Sequence, residues 1–141
     1  MVEGDLEHVA ALEQCEPSAW SNASITGELH HAAAVVLVIC MTGRIVGWGC
    51  CRLIDSEAEQ LKIAVEPSFK RRGLGSMLLN NMVGELRCRG ITEIFLEVRS
   101  LNYTARSFYL SHGFTDVSRR INYYRQPTDD ALVLKRTLRF E

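Results

Sequence analysis

The stretch Lys70-Arg71-Arg72-Gly73-Leu74-Gly75 lies between a β-rich run ending at Val65 and an apolar-periodic run beginning near Ser76. Two glycines, two positions apart, follow three cations at the point where a strand gives way to a helix. Glycine lets the backbone take φ > 0 and approach a ligand closely. A helix N-terminus offers unpaired N–H groups and partial positive charge, which suit phosphate. Two readings stand: a pyrophosphate cradle, or a tight turn with a basic surface. No Gly-Lys-Ser/Thr follows, so the longer phosphate-loop pattern is excluded. The third glycine of a dinucleotide fingerprint is missing at the required spacing.

Downstream of the glycines, Leu78, Leu79, Met82, Val83 and Leu86 recur at helical spacing, which predicts a helix over Ser76 to Arg89 with Gly90 just past its end. Ile91 to Arg99 reads as a strand, with Ile94, Leu96 and Val98 alternating against Phe95, Glu97 and Arg99. Asn102 suits the N-cap of a helix reaching His112, closed by Gly113. Phe114 to Tyr124 and Ala131 to Leu138 read as strands around a turn at Pro127 to Asp130. Upstream, Ala33 to Met41 and Arg44 to Ile54 form a hairpin about Thr42-Gly43. Glu57 to Val65 is a third strand, stopped by Pro67. Leu6 to Cys15 and Ser24 to His31 read as short helices. The order is α-α-β-β-β-α-β-α-β-β, a mixed α/β domain with a largely antiparallel sheet.

At 141 residues, 47% hydrophobic and 23% charged, the chain is expected to form a single domain over residues 1–141. A formal net charge of −1 gives no bulk case for nucleic-acid or membrane binding. No apolar run reaches the ~18 residues needed to span a bilayer. The start, Met1-Val2-Glu3-Gly4-Asp5, is acidic without a signal-peptide pattern, so a cytoplasmic location is expected. The five cysteines, Cys15, Cys40, Cys50, Cys51 and Cys88, include no C-x-x-C pair. Cys50 and Cys51 are adjacent in a strand and point to opposite faces. No metal site or disulfide framework is expected; reduced, mostly buried thiols are.

The element order, with the glycine turn between the third strand and the long helix, resembles the GNAT family of N-acetyltransferases, whose phosphate turn follows Q/R-x-x-G-x-G/A. Lys70 departs from the first position; both glycines match. Further motifs follow in order: Ile63-Ala64-Val65-Glu66-Pro67, Arg71-Arg72-Gly73-Leu74-Gly75, Leu96-Glu97-Val98-Arg99, Asn102, Tyr109, Gly113-Phe114 and Arg120-Ile121-Asn122-Tyr123-Tyr124. From Glu57 to Tyr124 these are similar to the family's bacterial ribosomal-protein-alanine branch. Before Glu57 the likeness is loose, apart from Trp20-Ser21.

The resemblance implies acetyl transfer from acetyl-CoA, as co-substrate and without a metal, to the N-terminal amine of an alanine-starting small-ribosomal-subunit protein. It implies that the backbone of Ile63, Ala64 and Val65 lines the acetyl-pantetheine arm, with the Val65 N–H facing the thioester carbonyl. Arg71, Arg72, Gly73, Leu74, Gly75 and Ser76 would hold the pyrophosphate, and Asn102 would cap its helix and meet CoA. Glu97 is the implied general base and Tyr109 the implied general acid. From the residues alone, Glu97 reads more readily as an exposed strand carboxylate or the ion-pair partner of Arg99, and Tyr109 as a core aromatic. The acceptor site is expected near Trp20, Glu57 to Gln60, and a hairpin carrying Tyr123, Tyr124, Asp129 and Asp130. Its acids, Glu57, Glu59, Asp129 and Asp130, would draw a basic peptide or stand solvated.

Three alternatives remain open. The acceptor is a lysine, polyamine or other small amine; the chain is a CoA-binding module without catalysis; or the basic runs Lys70–Arg72 and Arg119–Arg120 bind nucleic acid, which the near-neutral charge disfavours.

Overall fold

The computed structural model describes residues 1–14, 20–125 and 127–138. Six strands form one sheet: β1 (Ala34–Met41), β2 (Arg44–Ile54), β3 (Glu57–Val65), β4 (Glu93–Arg99), β5 (Thr115–Arg125) and β6 (Thr128–Thr137). Their spatial order is β1-β2-β3-β4-β6-β5. Pairing is antiparallel except between β3 and β4. These two run parallel because the helix α3 (Leu74–Cys88) crosses between them, as a parallel connection requires.

The two sheet faces carry different helices. Val9 and Leu12 of α1 (Leu6–Glu13) and Ile25 of α2 (Asn22–Leu29) pack on Trp48, Cys50 and Ala64. On the other face, Leu79, Met82, Val83 and Leu86 of α3 pack on Cys51, Ala58, Ile94 and Leu96. Phe108 and Tyr109 of α4 (Tyr103–Ser111) join that cluster. Cys50 and Cys51 therefore do face opposite ways. Burial, with the Glu28 charge behind it, pushes the Cys50 thiol up to about 12 and so holds it neutral. Cys40 and Cys88 are exposed, so the expectation of mostly buried thiols holds for the adjacent pair only. Cys15 lies outside the described residues.

Several boundaries differ from expectation. Ser21 caps α2, accepting from the Ser24 N–H at 3.1 Å, which starts that helix before Ser24. The glycine turn is tighter than the apolar pattern suggested: Gly73 is the N-cap and Leu74 already helical. Strand β4 begins at Glu93, after the turn through Gly90. Strand β6 begins at Thr128, so Asp129 and Asp130 are strand residues and not a turn. No helix among the described residues is long and apolar enough to cross a membrane.

Strand β3 holds the feature that organises the rest. Against β2, its register shifts between Cys50–Lys62 and Cys51–Gln60, leaving Leu61 as an extra residue. Such a bulge reverses the side-chain alternation beyond it. Ala58 accordingly lies in the cluster beneath α3, while Ala64, six positions on, lies beneath α1 and α2.

Candidate functional site

The pairing of β3 with β4 covers Glu57–Glu93, Ala58–Ile94 and Glu59–Phe95 and ends there. Strand β3 continues along β2 to Val65, and β4 continues along β6 to Arg99. A gap therefore opens between Gln60–Val65 on one side and Leu96–Arg99 on the other. The Glu66 N–H donates to the Val46 C=O at 2.8 Å, toward β2. By strand alternation the N–H groups of Val65 and Ile63 point the other way, into the gap. Ala64 and Val65 bury their side chains and Ile63 is half-buried, so these three residues offer the gap backbone.

The N-terminus of α3 follows this strand. Pro67–Phe69 forms one 3₁₀ turn, then Arg71 (φ +63°) and Gly73 (φ +78°) take left-handed backbone. The first helical bond runs from the Met77 N–H to the Gly73 C=O at 3.0 Å. The N–H groups of Leu74, Gly75 and Ser76 come before it and have no acceptor within the helix. Lys70, Arg71 and Arg72 are exposed, with the Arg72 guanidinium 5.0 Å from the Phe69 ring centroid. The Ser76 hydroxyl lies 2.9 Å from His112 Nε2, tying the start of α3 to the end of α4. Asn102 caps α4 by accepting from the Ala105 N–H at 3.2 Å.

Tyr109 and Glu97 border the gap from opposite faces of the sheet. Tyr109 packs among the helix-side residues, and its Oη accepts from Gln60 Nε2 at 3.1 Å. Burial raises its pKa well above the ordinary tyrosine value, with Cys51 adding to the rise and Gln60 opposing it. Glu97 faces the other way, against the buried Leu96 and Val98. Its Oε1 lies 3.4 Å from Arg120 Nη1, a cation on β5 that reaches across β6. Tyr124 sits beside Glu97, its pKa raised first by burial and then by that carboxylate. The Arg99 guanidinium lies 4.1 Å from the Tyr124 ring centroid.

A cavity of about 260 Å³ adjoins Glu97, lined also by Glu57, Glu59, Phe95, Arg120 and Ile54. Three carboxylates against one guanidinium leave it net acidic. Asp129 and Asp130 do not add to that charge, because the hairpin uses both internally. Asp129 accepts from the Ser100 hydroxyl and from the N–H groups of Leu101 and Asp130, which together hold its pKa low, Ser100 most of all. Asp130 accepts from the Asn122 N–H at 2.8 Å, which most lowers its pKa, and from Arg119 at 2.6 Å. Arg119 and Arg120 thus each face a carboxylate, so this basic run is not a free cationic patch. Trp20 lies elsewhere, lining a second, open depression with Ser24, His31, Arg52 and Leu61.

The sequence pattern passed over two buried polar side chains of β3. Gln60 is 6% exposed and Lys62 9%. Only the bulge at Leu61 explains why both are internal, on opposite faces.

The chain belongs to the GNAT acetyltransferase family, whose model matches residues 6–114. Among its relatives, the ribosomal protein bS18-alanine N-acetyltransferase of Salmonella typhimurium is 40% identical over 93 residues, 64% of this chain and 63% of that protein. That match spans somewhat under two thirds of the relative's length. The corresponding protein of Haemophilus ducreyi is 32% identical over 90% of this chain and 88% of its own. The crystal structure of the ribosomal-protein-S18-alanine N-acetyltransferase from Escherichia coli superposes with a TM-score of 0.92 at 27% identity, covering 100% of this chain and 92% of that one.

Proposed function

We propose that this protein transfers the acetyl group of acetyl-CoA to the α-amine of a protein N-terminus, the acceptor being an alanine-starting ribosomal protein. The observation that carries the reading is the β3–β4 gap. It opens beside a helix N-terminus with unpaired N–H groups and is bordered by Tyr109 on one face and Glu97 on the other.

The pyrophosphate of acetyl-CoA lies against the first turn of α3, held by N–H groups from Arg71 through Ser76 and by the charge of Arg71 and Arg72. The acyl arm runs along the backbone of Ile63, Ala64 and Val65, with Asn102 at the start of α4 as a further contact. The acceptor amine approaches from the Glu97 face. Glu97 takes a proton from the ammonium; the amine attacks the thioester carbonyl, and the Val65 N–H receives the developing negative charge. The C–N bond forms and the C–S bond breaks; Tyr109 gives its proton to the departing thiolate. The nitrogen sheds its second proton to solvent as the amide forms, and proton exchange with solvent restores the Tyr109 phenol and the Glu97 carboxylate.

An α-amine titrates near 8 and a lysine near 10.4, so freeing the lysine amine at neutral pH costs about 3 kcal/mol more. One carboxylate base suits the α-amine better. Glu57 and Glu59, in the cavity beside Glu97, favour a basic peptide. The test presents acetyl-CoA with a basic peptide starting with alanine, alongside matched peptides with a blocked N-terminus or an internal lysine. Acetyl mass gain and CoA release are expected only with the free alanine amine. Transfer to the blocked peptide's lysine, or acetyl-CoA binding with no transfer, overturns the reading.

The two glycines differ in what they require of the backbone. An alanine at Gly73 must take φ +78°, which costs roughly 1–2 kcal/mol. An added Cβ at Gly75 meets only the Phe108 ring, at 3.5 Å, an ordinary contact. Gly73→Ala is therefore expected to lower the thermal midpoint. Gly75→Ala should keep both the midpoint and acetyl-CoA affinity, because the Cβ meets the Phe108 ring at ordinary distance and the family's turn pattern admits alanine there. A lower midpoint in Gly75→Ala and an unchanged one in Gly73→Ala would reverse this assignment.

A further inference from the structure

Gln60 lies at the first position of β3 beyond its last pair with β4, on the helix-facing side and only 6% exposed. Its Nε2 donates to Tyr109 Oη at 3.1 Å, a contact between residues 49 positions apart. Among the described residues no donor reaches its buried Oε1. A buried amide oxygen without a partner destabilises a fold, whereas an apolar side chain of similar length would carry no such penalty. Stability does not account for a glutamine here, and its geometry toward Tyr109 does.

The two ends of the amide have opposite effects on a phenol. An N–H donated to Oη occupies an oxygen lone pair and leaves the phenolic proton free to point elsewhere. An amide oxygen would accept that proton and hold it. With Nε2 toward Tyr109, the hydroxyl proton is directed away from Gln60. The same N–H steadies the phenolate left when the proton departs.

We propose that Gln60 is a positioning residue for Tyr109: its side-chain N–H aims the phenolic proton into the β3–β4 gap and stabilises the oxygen once the proton is given up. This rests on the reading of Tyr109 as the proton donor.

The test is a double-mutant cycle in the full chain, read by single-turnover acetyl transfer, acetyl-CoA affinity and thermal midpoint. Gln60→Met should fold at least as stably as the native chain, bind acetyl-CoA within about twofold, and transfer about tenfold more slowly. In a Tyr109→Phe background the same substitution should slow transfer no further. Gln60→Glu, whose carboxylate accepts the phenolic proton, should be slower than Gln60→Met. If Gln60→Met transfers at the native rate, or slows the Tyr109→Phe enzyme as much as the native one, Gln60 does not act through Tyr109. If Tyr109→Phe itself keeps the native rate, the assignment of the proton donor fails instead.

Discussion

Tyr109→Phe is expected to lower kcat by about 10²-fold or more, while acetyl-CoA binds with nearly native affinity. A positioned general acid contributes about 10²–10⁴-fold. Losing one hydroxyl leaves the ring packed on Phe114, 5.5 Å away between centroids, while Gln60 Nε2 loses its acceptor, so a lower thermal midpoint accompanies the rate loss. Burial raises the pKa of this hydroxyl, so the proton is present throughout pH 6–9 and its loss does not shape the rate profile there. Glu97→Gln should behave differently. At pH 6 only about one α-amine in a hundred is free, so the base matters most; near pH 9 most are free and the deficit should shrink. Kinetics of both variants across pH 6–9, with direct titration of acetyl-CoA, distinguish the two roles. Native rates in both variants over that range would remove Glu97 and Tyr109 from the chemistry.

Element order and the glycine turn were legible because both are local. Alternation through Ile94, Phe95, Leu96, Glu97 and Val98 put Glu97 on the face opposite the core, as found. The partner of Glu97 was not readable. Arg99 is its neighbour in the strand, but Arg120 reaches it from β5, and only the order β4-β6-β5 brings them within range. The acids of the hairpin misled for a related reason. Asp129 and Asp130 looked like solvated turn residues, whereas the irregular register between Arg120 and Tyr124 turns the Asn122 N–H onto Asp130, and Asp129 accepts from the Ser100 hydroxyl and the N–H groups of Leu101 and Asp130. The bulge at Leu61 was equally hidden. Regular alternation would put Ala58, Gln60, Lys62 and Ala64 on one face, yet the first two and the last two face opposite ways.

Lys62→Met should cost the fold about 3–5 kcal/mol, the penalty typical of removing one partner from a buried ion pair. Lys62 Nζ lies 3.1 Å from Glu13 Oε2, with the two side chains 8% and 0% exposed. Glu13 also accepts from Trp48 Nε1 at 2.9 Å and from the Trp20 N–H at 2.8 Å. These neutral donors would remain in the variant but could not balance a full charge removed from water. The loss is a large share of a net stability of order 5–15 kcal/mol. It should show as a lower urea midpoint with little change in slope. Glu13→Gln combined with Lys62→Met should recover much of it, because the uncompensated charge goes with the carboxylate; equal instability in the single and double variants would mean that packing, not charge, sets the cost. The consequence also reaches the start of α2. Glu13 holds the backbone at Trp20, whose ring meets Trp48 edge-on at 5.5 Å. A chain lacking this carboxylate–lysine pair should therefore loosen first where Trp20 leads into α2, detectable as faster hydrogen exchange at Trp20 than along β4.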